Sequence, residues 1–126
     1  MKLYLYVLDT LADWEIGHLT AEIHSRRFFA DRSVVVPIVK VGASLEEITT
    51  MGGMAIRPDL ALDQLKLEDD DLLVLPGADT WLDPANRGIL LVAKERIALD
   101  LPVAAICGAT FGLAAARRTA WAQAAV

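Results

Sequence analysis

The chain contains a single cysteine, which excludes an internal disulfide and a multi-thiolate metal site. It also lacks any apolar run of transmembrane length, and its start, MKLYLYVLD, reaches an aspartate too early for a secretory segment. Basic residues are in deficit: 12 against 17 acidic give a net charge of −5, the wrong sign for binding nucleic acid or an anionic membrane. These absences point to the reducing cytoplasm and to small uncharged or polar ligands, with no metal or other cofactor implied. Apolar material is abundant, at 55% of 126 residues and mean hydropathy +0.40. One domain, residues 1–126, with a sizeable core is expected.

Short β-branched runs alternate with longer stretches of helical spacing, the punctuation of an α/β protein. Leu3 to Leu8 reads as a buried strand. Thr10 to Asp13 fits the T-x-x-D start signal of a helix reaching about Phe28, with Asp13 as a cap and Ile16, Leu19 and Ile23 toward the sheet. Val34 to Val41 is a second strand, placed at an edge because Pro37 removes a ladder donor. Gly52-Gly53 between two extended pieces predicts a hairpin over Ile48 to Ile56, and Pro58 to Leu67 a turn or short helix. Leu72 to Leu75 and Pro102 to Ile106 read as strands around a helix from Pro84 to about Leu99. The alanine-rich Ala114 to Val126 prolongs a last helix.

Parallel strands of such a sheet end at one edge, where ligands bind. Asp13 to Glu15, Gly77 to Trp81 and Cys107 all follow strands there. In AAICGATFGLA a strand runs into a helix through one residue, the sharp elbow that presents a nucleophile, with small Ala105 and Ala109 two positions to either side. Gly108 offers an unshielded N–H, and the helix start stabilises negative charge on the Cys107 sulfur. Gly77 could add a second N–H to an oxyanion hole. An isolated cysteine is more often a small inert residue, so the pattern alone leaves reactive and inert cysteine both open. Helical spacing alone places Glu15 with His18 and Glu22 toward solvent. Trp14, Trp81 and Asp79 read as crevice wall, core or turn residues.

Taken together, DWE after the first strand, ITTMGGMAIRPDLALDQL, LPGADTW and AICGAT resemble the ThiJ/PfpI family of the class I glutamine amidotransferase-like superfamily over residues 1 to 116. The resemblance implies a flavodoxin-like three-layer sandwich with a mostly parallel sheet, a nucleophilic Cys107, Glu15 touching it, and oxyanion donors at Gly77 and Gly108. It further implies an intracellular cysteine hydrolase (peptidase, amidase, glyoxalase or deglycase) or an oxidative-stress protein. Such a protein would act on a small-molecule or peptide substrate, commonly as a homodimer. Two departures stand out. Catalytic members carry a histidine near the cysteine, whereas here residue 108 is Gly and the only histidines are His18 and His24. Family domains also continue past the elbow helix, so a chain short at its C-terminus, with impaired activity or an oxidisable sensor thiol, is expected.

Overall fold

The computed structural model describes residues 1–124, and the side chains of residues 1–116. Five parallel strands form the central sheet in the order β5-β2-β1-β6-β7: β1 (Leu3–Tyr6), β2 (Ile38–Gly42), β5 (Leu60–Ala61), β6 (Leu72–Leu75) and β7 (Val103–Ala105). An antiparallel pair, β3 (Ile48–Thr49) and β4 (Ala55–Ile56), makes the hairpin expected around Gly52-Gly53. β1 and β6 occupy the middle. Their unbroken apolar runs LYLY and LLVL suit strands covered on both faces, where a side chain such as Leu73 or Leu75 contributes about 1.5–3 kcal/mol on burial.

Right-handed crossovers set the layers. The chain leaves β1 through α1 (Asp13–Ser25) to β2 on one side, and leaves β6 through α2 (Arg87–Ala98) to β7 on the other. The two helices therefore cover opposite faces, and α3 (Gly108–Ala124) packs beside α2. Side chains of β1 alternate accordingly. Leu5 shares a groove with Ile16 of α1, while Tyr6 stacks on Trp81 with ring centroids 5.6 Å apart. The Tyr6 hydroxyl donates to Asn86 Oδ1 at 2.7 Å, which satisfies a phenol that burial holds well above its usual pKa. The architecture is the flavodoxin-like sandwich, with its switch of winding direction between β1 and β6.

Several local expectations are corrected. β2 is interior, paired to β1 and β5: it begins at Ile38, just past Pro37, so the proline removes no ladder donor. Its carbonyl instead accepts the Leu3 N–H. The strand at the edge beyond β2 is β5, which lies inside the stretch read as a turn or short helix, followed by a single 3₁₀ turn at Leu62–Gln64. The T-x-x-D signal does not cap α1, because the N-cap is Ala12 and no side chain bonds it. Thr10 and Asp13 bond to other loops, described below. α1 ends at Ser25, where Arg26 turns left-handed at φ 56° and closes the last turn onto Glu22. α2 follows a 3₁₀ turn at Pro84–Asn86. α3 does prolong through the alanine-rich stretch to Ala124, and the last two residues of that expectation lie outside the described residues.

Candidate active site at the C-terminal edge of the sheet

The three loops beyond β1, β6 and β7 meet at one edge, as parallel strand ends require. Ile106 N–H bonds the Leu75 carbonyl at 2.9 Å, carrying the β6–β7 pairing to the residue before Cys107. Cys107 then adopts φ 50°, a left-handed conformation rare for a side-chain-bearing residue, and α3 starts at once with Gly108. The turn leaves Cys107 exposed as a free thiol. Ala109, two residues on, is fully buried, and Ala105 is half-buried, so small side chains flank the turn as expected.

Gly108 sits where nothing larger fits: a Cβ there would lie 2.7 Å from the Ala78 carbonyl oxygen. Its own N–H, at the first position of α3, has no intrahelical acceptor and no other partner among the described residues. Gly77 is confined in the same way, because a Cβ would overlap the Glu15 carboxylate. Gly77 N–H donates to Glu15 Oε2 at 2.7 Å. The structure therefore takes Glu15 out of the solvent assignment that helical spacing gives it, and holds it half-buried on the β6 loop. It also engages the N–H expected of Gly77 as an oxyanion donor. The N–H of the next residue, Ala78, which lies against Gly108, has no partner among the described residues. Nothing in LPGADTW distinguishes the two amides. Only the approach of Glu15 across 62 residues does so.

The sulfur of Cys107 makes no hydrogen bond among the described residues, so Glu15 is bonded to the loop beside it rather than to the thiol. Trp81 is buried core: its indole N–H donates to the Pro76 carbonyl at 2.8 Å and its ring underlies Gly108. Trp14 is exposed on α1. His18 and His24 are both exposed, away from the elbow loop in any described bond. Asp13, expected as a cap, reaches the hairpin: Oδ2 accepts the Gly52 N–H at 2.7 Å. The Thr50 hydroxyl and that N–H hold its carboxyl below the usual aspartate range. Among the described residues, no three His, Cys, Asp or Glu side chains gather as a metal ion would need, and no helix is long and apolar enough to cross a membrane.

Residues 1–123 match the model of the DJ-1/PfpI family. The chain is 45% identical over 113 residues to a Bacillus subtilis protein named an uncharacterised protease, YoaZ, covering 90% of this chain and 54% of that protein. Its structure is similar to that of a thiJ/pfpI family protein from Bacillus anthracis, with TM-score 0.81 and 46% identity over 89% of this chain and 53% of the other. It is also similar to the DJ-1 superfamily protein Atu0886 from Agrobacterium tumefaciens, with TM-score 0.71, 29% identity, and coverage of 90% and 56%. The chain thus spans about half the length of these relatives.

Proposed function

The chain belongs to the DJ-1/PfpI family, and from that premise we propose a ThiJ/PfpI-type cysteine hydrolase site with Cys107 as its nucleophile. The observation that carries this reading is an exposed thiol, held at φ 50° directly before a helix whose first N–H is free. The thiolate attacks a carbonyl carbon, a C–S bond forms, and the carbonyl π pair moves onto oxygen. Gly108 N–H, with Ala78 N–H beside it, receives that oxyanion, while Gly77 holds Glu15 where it can exchange protons with the reacting groups through water. The substrate is an amide, or a small carbonyl or glycated adduct. The same reading makes the protein a cytoplasmic homodimer.

General-base assistance typically contributes about 10²- to 10⁴-fold. Residue 108 is Gly and the two histidines of these 126 residues, His18 and His24, lie on α1, so the elbow itself carries no imidazole base. That observation favours a second reading, a non-catalytic sensor whose exposed Cys107 oxidises to a sulfenic or sulfinic acid. One experiment separates them: a panel of amide and dicarbonyl substrates run on wild type, Cys107→Ser and Glu15→Gln, beside mass spectrometry after mild peroxide. Weak turnover lost in Cys107→Ser and reduced in Glu15→Gln supports the hydrolase. Oxidation at Cys107 with no turnover supports the sensor, and a thiol inert to both overturns the site.

A further inference from the structure

Thr10 is a β-branched residue at φ 67°, in the left-handed region that glycine occupies without penalty. Such strain persists only where the surroundings over-determine it. Here the neighbouring loops do so. Thr10 N–H donates to the Thr49 carbonyl at 2.9 Å, and Ala12 N–H donates to the Gly77 carbonyl at 2.9 Å. Met51 N–H returns to the Leu11 carbonyl at 2.9 Å, and the Thr80 hydroxyl to that of Asp9 at 2.7 Å. The side chain of Thr10 adds one more bond: its Oγ1 accepts the Asp79 N–H at 2.7 Å.

That bond orients a peptide plane. In a trans peptide the N–H and the preceding C=O point in opposite directions. With the Asp79 N–H turned onto Thr10, the Ala78 carbonyl is turned away from it, and it is this carbonyl that closes on Gly108. One plane is pinned from both sides, by Thr10 and by the first residue of α3. A glycine at position 10 would be unstrained but would offer no acceptor, which gives the strained threonine a reason to be there.

We propose that Thr10 is a positioning residue, whose Oγ1 sets the 78–79 peptide so that the Ala78 carbonyl packs on Gly108 at the elbow. Its effect on chemistry rests on the reading of Cys107 as the reactive group. The geometry does not. The test compares Thr10→Val, which keeps the branched shape and loses the acceptor, with Thr10→Ser, which keeps the acceptor, and Thr10→Gly, which relieves the φ strain and loses the acceptor. Two quantities are read in each folded protein: the amide resonances of Ala78, Asp79 and Gly108, and the rate at which iodoacetamide alkylates Cys107. Val and Gly are expected to move all three resonances and to slow alkylation by about tenfold, while Ser retains both wild-type values. A threonine needed only for stability would leave the Gly variant, if folded, with wild-type resonances and rate, and that result overturns the proposal even if the Val variant does not fold. A wild-type Cys107 that alkylates no faster than in the urea-unfolded chain removes the hydrolase reading, and the resonances still decide whether Thr10 sets the peptide.

Discussion

The two ends of the sheet use the same kinds of hydrogen bond to opposite effect. Where the strands begin, charged side chains are buried to close the structure. Asp71, 2% exposed, accepts the N–H groups of Lys2 and Glu68 at 2.7 and 2.8 Å. Arg96 of α2, 5% exposed, donates to the carbonyls of Asp71 and Glu68 at 2.6 and 3.2 Å, with only its Nε unpaired. Where the strands end, the loops are just as densely tied, yet the N–H groups of Ala78 and Gly108 have no partner among the described residues, a thiol stays exposed, and both Thr10 and Cys107 are held left-handed. The lesson is that hydrogen bonding there is spent on holding an opening rather than on closing one. Parallel strands make this asymmetry natural, because helix N-termini with their unpaired N–H groups all begin at the C-terminal edge.

Removing the buried cation tests the closed end most severely. Arg96→Met should cost about 2–4 kcal/mol, since it removes a buried cation, leaves the buried Asp71 carbonyl without a donor and leaves the Glu68 carbonyl with only the Asp71 N–H. Urea unfolding measures this, and the Cys107 alkylation rate should not change. A large change there would mean that the two ends are one mechanical unit.

Gly108→Ala probes the open end with a smaller stability effect, about 1–3 kcal/mol, because the new Cβ must push the Ala78 carbonyl aside. In contrast to the arginine variant, it should alter Cys107 alkylation. A wild-type rate together with a normal urea midpoint would show that this contact constrains neither.

The smallest effect expected is that of acid on the hairpin tie. The folded pKa of Asp13 is lowered, by the Thr50 hydroxyl first and the Gly52 N–H next, so its contribution is present above the unfolded value of about 3.9 and is lost as pH falls through the folded one. The Gly52 amide resonance should therefore titrate below pH 4 in wild type and stay flat in Asp13→Asn. A midpoint at or above the ordinary aspartate value would dissolve the tie between α1 and the hairpin.

Much of this molecule is legible along the chain. Leu72 to Leu75 is a strand because four apolar residues end at Pro76-Gly77, and the hairpin follows from Gly52-Gly53 between extended pieces. The common edge for Asp13 to Glu15, Gly77 and Cys107 follows from strand direction, and Gly108 from the crowding of a one-residue turn. Thr10 and Asp13 mislead, because a T-x-x-D pattern is satisfied equally well by bonds to distant loops, and here Asp79 and Gly52 take them. Pro37 misleads because one residue of register decides whether a proline lies in a strand or before it.

What the sequence determined by itself is therefore local and periodic: the α/β alternation, the strand that feeds the elbow, and the small residues on which a tight strand-to-helix turn depends. Only the tertiary structure decided which amide is free and which is taken. Glu15 and Gly77 are 62 residues apart, Thr10 and Asp79 are 69 apart, and their bonds exist because the parallel order β1-β6-β7 brings three strand ends together. Helical spacing sends Glu15 to solvent because it counts neighbours on one helix. The loop that covers that carboxylate arrives from another strand, and no periodicity within α1 encodes it.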